Sequence, residues 1–212
     1  MQAQRYTLIY VLLMTLVVVA SNVLVQYPLN GIAFGINLAD LLTWGAFTYP
    51  VAFLITDLTN RQFGTKYARI VVIAGFIVGV TLSWIFSAPR IAMASGTAFI
   101  VGQMLDISVF NSLRRQAWWR APLIASLIGS MLDTALFFSM SFAPLFAFLG
   151  PNDDFALGVS PIFGVLSQDA PRWISWALGD LSVKMTVALV MLLPYGALMS
   201  VLKPMPGVQK AA

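Results

Sequence analysis

Residues 90–115 read RIAMASGTAFIVGQMLDISVFNSLRR. The run is long and apolar enough for a helix that crosses a bilayer, which takes about twenty residues. Yet it carries an amide and a carboxylate, Gln103 and Asp106, within it. Ala94, Ala98, Gly102 and Asp106 recur at every fourth position and so share one helix face. Ser95, Phe99 and Gln103 form an adjoining stripe that also meets Asp106. Small residues let a second helix or a flat ligand come close. An ionisable group inside a spanning helix costs about 2.5–3.5 kcal/mol on the insertion scale, and such groups mark substrate or ion paths.

Comparable apolar runs lie on either side. The expected spans are 6–27, 42–58, 67–87, 90–113, 121–148 and 172–202, giving an all-α integral membrane protein of six transmembrane helices in a single domain over residues 1–212. Composition agrees: 59% of residues are hydrophobic and 9% charged, unlike the mixed surface of a soluble domain. The apolar run from Tyr6 to Val25 exceeds the roughly 7–15 residues of a signal-peptide core, so it reads as a first span. Pro28, Asn30 and Gly31 break the chain after it, and Ser87-Ala88-Pro89 separates the third span from the fourth.

Charge sets the orientation. With the amino terminus inside, Arg5, Arg61, Lys66, Arg69, Arg114, Arg115, Arg120, Lys203 and Lys210 all fall on the inner side. Asp40, Asp153, Asp154 and Asp169 fall outside, with Arg90 and Arg172 at outer helix starts. Both termini are therefore expected in the cytoplasm. The net charge of +4 sits in these inner loops and is no sign of a nucleic-acid partner. The partly apolar loop at about 150–171 is expected to pack on the bundle at its outer end.

There is no cysteine and no histidine, which excludes disulfides, thiol chemistry and histidine acid–base catalysis. No enzyme activity, cofactor or metal is expected. The chemistry instead rests on charges inside spans: Asp57, Asp106, Asp133 and Asp180 against Arg90 and Lys184. Asp180 and Lys184 are spaced to pair on one helix face. Ser126, Ser130, Asp133, Thr134 and Phe137 follow one another along the fifth span, Asn22 lies in the first, and Trp44, Phe47 and Tyr49 in the second. A carboxylate accepts from adjacent N–H groups and an amide reads a donor/acceptor edge. Acids in excess of bases also suit a coupled ion or proton, for which Asp57 and Asp180 are candidates. Gly75 and Gly79 form a small-residue pair in the third span that suits close packing or a homodimer. Carboxylate, amide and aromatics together fit a planar base-like solute, and amino acids and vitamins fit as well, so these residues alone point to a small polar solute and no more.

Three blocks carry a resemblance. They are Trp44–Pro50 leading to Thr56–Gly64; Arg90–Ser95 through Gly102–Asp106 to Phe110-Asn111; and Asp133 with Lys184 and Pro194-Tyr195. From about Asn22 to Tyr195 the chain resembles the queuosine-precursor transporter family, also described as vitamin uptake transporters. Many members have glutamate where this chain has Arg61. The arginine resembles the proteobacterial branch, and Arg61 is not carried over as a substrate contact. The resemblance implies import of 7-cyano- and 7-aminomethyl-7-deazaguanine across a bacterial inner membrane. It implies Arg90, Ser95, Gln103, Asp106, Asp133 and Lys184 as substrate-binding residues, with Phe99, Phe47 and Asn22 beside them. Asp106 or Asp133 would meet the guanine-like edge, and Gln103 the carbonyl side. The alternative is a substrate-binding subunit of an ATP-driven (ECF-type) vitamin or nucleobase importer, a protein of similar size that needs a separate energising module.

Overall fold

A computed structural model describes residues 2–203; Lys210 lies outside the described residues. The long helices are α1 (Gln2–Leu24), α4 (Thr65–Phe86), α5 (Pro89–Leu113), α6 (Arg120–Phe142) and α8 (Arg172–Met199), with a medium helix α3 (Val51–Phe63). Two single-turn helices, α2 (Gly45–Thr48) and α7 (Asp154–Leu157), accompany them. Among the described residues, five helices are long and apolar enough to cross a membrane: α1 from Thr7, α4, α5, α6 and α8.

The expected second span, 42–58, is not one helix. Leu42, Thr43 and Trp44 are non-helical, α2 follows, and α3 begins only after Pro50 and runs on to Phe63. Pro50 has no N–H to give and its ring crowds the preceding turn, so the helix restarts there. The expected fifth span to residue 148 likewise stops at Phe142. Pro144 disfavours helix in the residue before it, and Ala143 is extended at φ −69°, ψ 138°. Two short antiparallel ribbons, not foreseen in an all-α chain, occupy the connections. One pairs β1 (Ile32–Ala33) with β2 (Ile36–Asn37), the other β3 (Val159–Pro161) with β4 (Asp169–Pro171).

Helix α3 is the polar one, and it sits among the others, in contact with α1, α4, α5, α6 and α8. Thr56, Asp57, Thr59 and Asn60 are each 1% exposed or less. Lipid offers such groups no hydrogen bonds, so their partners come from neighbouring helices and the helix's own backbone. The Thr56 hydroxyl donates to Gln103 Oε1 at 2.6 Å, the Asn60 amide to the Ile107 carbonyl at 3.2 Å, and Thr59 to the Ile55 carbonyl at 2.6 Å. Gly64, at φ 85°, makes the abrupt turn from α3 into α4 in a conformation that side chains resist. The apolar shell is bulky and outward: Leu8, Leu12 and Leu16 of α1 are 59%, 60% and 64% exposed.

Close helix crossings use the small residues. A Cβ on Gly75 would meet Met14 Cγ at 2.7 Å, and one on Gly79 would meet Val18 Cγ1 at 3.2 Å. The Gly75/Gly79 face is thus taken by α1 of the same chain and is not free for a second copy. At the crossing of α5 and α6 the two backbones themselves come close. A Cβ on Gly102 would lie 3.1 Å from Asp133 Cβ and 3.2 Å from the Gly129 carbonyl. One on Gly129 would lie 2.8 Å from Phe53 Cε1, 3.1 Å from the Gly102 carbonyl and 3.3 Å from Asp106 Cβ. Each helix offers a glycine and an aspartate four residues apart, and the antiparallel crossing sets each glycine against the other's aspartate.

Arg90 fastens one end of the bundle. Buried at the start of α5, it donates to the carbonyls of Met140, Ala143, Gly150 and Pro151 and to the Asn152 side chain, at 2.7–3.2 Å. The loop beyond is held as well. Asp153 caps α7 by accepting from the Ala156 N–H, and the Arg172 guanidinium lies 4.3 Å from the Phe155 ring centre.

Gly129→Val should push α5 and α6 apart, since even a Cβ at this position meets Phe53 and the Gly102 backbone. Overpacking of this kind costs about 1–3 kcal/mol. Thermal unfolding in detergent should show a lower midpoint for Gly129→Val than for Gly79→Ala, where only the tip of Val18 must shift.

Candidate functional site

At the end of the bundle that bears the two ribbons, the helices part around a cavity of about 350 Å³. That is within the range of small-molecule sites, roughly 300–1,000 Å³. The end of α1 (Ser21, Asn22), the 39–46 segment, the end of α4 (Ser83), the start of α5 (Ile91, Ser95, Ala98), the far half of α6 and the start of α8 form its walls. Phe137, Phe138, Phe142 and Trp176 supply an aromatic side. Phe142 and Trp176 meet edge to face with ring centres 5.4 Å apart, and Trp176 stacks on Phe155 of α7.

The polar groups converge from α6, α8 and the junction between α2 and α3. Lys184 Nζ lies 2.7 Å from Asp133 Oδ2 and 2.6 Å from Asp180 Oδ2, and donates to Thr134 Oγ1 at 3.1 Å. Thr134 donates in turn to Asp180 Oδ2 at 2.7 Å, and the Tyr49 hydroxyl donates to Asp133 Oδ1 at 3.0 Å. All three ammonium protons have acceptors. Two carboxylates against one ammonium leave one negative charge in excess at the cavity wall. Such a group offers carboxylate acceptors to a solute's N–H donors and attracts a cation. Also on the lining, Asn22 accepts from Ser83 at 3.0 Å and donates to the Val18 carbonyl at 2.9 Å.

Of the residues singled out in the sequence, Asn22, Ser95, Asp133, Asp180 and Lys184 line this cavity together. Phe99 does not line it but packs edge to face behind Tyr49, ring centres 6.0 Å apart. Phe47 is 37% exposed and rests against Trp44 outside the lining. Arg90 is engaged by the carbonyl latch. Gln103, Asp106 and Asp57 lie deeper, in the tightly packed half of the bundle, each 1% exposed or less. Tyr49 and Thr134 were visible on their spans, but only tertiary contact reveals them as partners of the acids. Tyr49 stands immediately before Pro50, where the helix breaks and its backbone can turn. That tyrosine-proline step is the signal that was available.

The family model "Putative vitamin uptake transporter" matches residues 43–88 and 81–198. The chain is 34% identical to the queuosine precursor transporter of Escherichia coli, over 95% of this chain and 90% of that protein. It is 32% identical to a "Probable queuosine precursor transporter" of Haemophilus influenzae, over 88% of this chain and 83% of the relative. A Bacillus subtilis protein with the same description is 25% identical over 49% of this chain. No solved structure gives a significant match.

Lys184→Met should leave Asp133 and Asp180 facing each other without a cation. Removing one partner of a buried ion pair costs about 3–5 kcal/mol. The expected outcome is a large drop in thermal midpoint, partly restored when Asp133→Asn is added. Melting curves of the two single variants and the double variant form the cycle that checks this.

Proposed function

Because this chain belongs to the vitamin uptake transporter family, whose curated relatives are named queuosine precursor transporters, we propose that it imports 7-deazaguanine precursors of queuosine. It is a multi-pass membrane transporter and not an enzyme. The membrane is the bacterial inner membrane. The observation that carries the substrate reading is the cavity, whose lining brings together two carboxylates around a lysine, four aromatic rings and an amide.

In this reading Asp133 or Asp180 accepts from the N–H and NH2 groups of the guanine-like edge. Asn22 and Ser95 bond the remaining polar edge, and the rings of Phe137, Phe138 and Trp176 cover the flat face. Tyr49, backed by Phe99, fixes the direction of the Asp133 carboxylate. Excess negative charge favours the cationic aminomethyl form over the neutral cyano form. Arg90 serves by holding the cavity rim, and Phe47 by facing lipid.

The chain crosses six times, with α2 and α3 together making the second crossing, and both termini are cytoplasmic. Charge supports this: Arg61, Lys66, Arg69, Arg114, Arg115, Arg120 and Lys203 gather at one end, Asp40, Asp153, Asp154 and Asp169 at the other. The cavity then opens outward. A homodimer would need a face other than Gly75/Gly79, which α1 covers. The bulky exposed leucines of α1 offer no small-residue strip for an energising subunit, which supports a transporter that works alone.

Bacterial cells unable to make queuosine or import its precursors should regain queuosine in transfer RNA when they carry this gene alone and receive nanomolar precursor. Asp133→Asn should abolish the effect although the protein reaches the membrane. Arg90→Lys should reduce the amount of folded protein while the KM for uptake stays near that of the wild type. Asp180→Asn should weaken binding of the aminomethyl form more than that of the cyano form, as competition for uptake would measure. Absence of queuosine in cells with membrane-inserted wild-type protein would refute the reading.

A further inference from the structure

Beneath the cavity, across the α5–α6 crossing, lies a second acidic site that the substrate reading does not use. Asp57 of α3 and Asp106 of α5 come within hydrogen-bond reach of each other. Both are at most 1% exposed. Ser126 donates to Asp57 Oδ2 at 3.3 Å, while Asp57 Oδ1 and both oxygens of Asp106 have no hydrogen-bond donor among the described residues. Two ionised carboxylates cannot rest against each other in a low-dielectric interior without a counter-charge; a single proton held between them removes the conflict.

Two further observations point to a proton at this place. A small cavity of about 10 Å³ borders Asp57, Ser126, Ser130 and Tyr195. It has room for about one water molecule. The Ser130 hydroxyl, 1% exposed, lies on its wall with no hydrogen-bond partner. Ser126, Ser130 and Thr134 are also spaced four residues apart on α6 and so share one face. The first bonds Asp57 and the last bonds Asp180 and Lys184. The steps are about 6 Å each along the helix, a gap that single waters can bridge. A ladder of hydroxyls thus runs from the cavity acids to the buried pair.

The groups facing the pair are few. From α6 they are the Ser126 and Ser130 hydroxyls, since Asp133 turns to the cavity. From α8 it is Tyr195, close to the Arg61 guanidinium, with Arg114 nearby at the basic end. From α5 Gln103 lies one turn away, held by Thr56. On the far side of α3, residues Ile55 and Leu58 share an apolar cluster with Met14 and Val18 of α1 and Val71 and Val72 of α4.

We propose that the Asp57–Asp106 pair is a proton-coupling site, loaded from the cavity along Ser126, Ser130 and Thr134, and that one proton enters with each solute. The solute stays with Asp133, Asp180 and Lys184 on one side of the Gly102/Gly129 crossing, and the proton sits on the other. Rearrangement of that crossing exposes both sites to the cytoplasm together. The inference rests on the importer reading, so its test separates the two.

The purified protein in liposomes is tested first for exchange of 7-cyano-7-deazaguanine across the membrane with no ion gradient. This neutral solute carries no charge of its own. Exchange supports the importer reading. Acid outside should then drive accumulation, up to about tenfold per pH unit for one proton per solute. A protonophore should abolish it, and a pH dye inside should report acidification upon solute addition. Asp57→Asn should lose accumulation and keep exchange, and Ser130→Ala should slow acid-driven uptake several-fold with exchange intact. If Asp57→Asn does not fold, the dye signal of the wild type and the Ser130→Ala rates decide. Exchange without acid-driven accumulation, or accumulation that follows a sodium gradient alone, would overturn proton coupling and leave the importer standing. No exchange at all would overturn both.

Discussion

The antiparallel crossing of α5 and α6 at Gly102 and Gly129 governs where the chemistry of this protein lies. Neither glycine tolerates a Cβ without a shift in the other helix, so the two backbones meet almost directly. Because each glycine is followed by an aspartate one turn on, the crossing carries the two acids away from each other. Asp133 is sent towards the ribbon-bearing end and Asp106 towards the basic end. The open cavity and the closed, packed half are the two sides of that contact.

Around it, the apolar environment dictates the rest. Lipid cannot solvate hydroxyls, amides or carboxylates. The helix richest in them, α3, is therefore enclosed by five others, and its Thr56 and Asn60 knit α3 to α5. The long apolar helices present their bulky residues outward and their small ones inward. Apart from the break at Pro50, the irregular backbone with the ribbons lies at the bundle end, where hairpin and ribbon bonds or the Arg90 latch satisfy the freed carbonyls.

The ion group in the cavity follows the same logic. A lysine in such surroundings is tolerated when every ammonium proton finds an acceptor, and Asp133, Asp180 and Thr134 provide three. Tyr49 occupies the remaining Asp133 oxygen. The carboxylate oxygens are thus held in fixed directions along the cavity wall. The aromatic wall reaches through Trp176 to Phe155, so the segment that holds α7 is packed against the same cavity.

Much of this was legible in the chain itself. Long apolar runs bounded by proline and glycine mark α1, α4, α5, α6 and α8, because hydropathy over twenty residues is a local property. The i,i+4 pairing of Asp180 with Lys184 was legible for the same reason: both lie on one helix. Pro50 and Pro144 show why boundaries failed at 42–58 and 121–148, since a single ring outweighs an apolar pattern. The composite site was not legible. Asp133 joins Lys184 from 51 residues away, and Asp57 meets Asp106 across two helices. Gln103 and Asp106 share a stripe with Ser95, yet Ser95 lines the cavity and they do not. A stripe fixes a direction around one helix axis but not what stands opposite it. Sequence alone determined that these acids must leave the lipid; helix packing decided which partner each acid found.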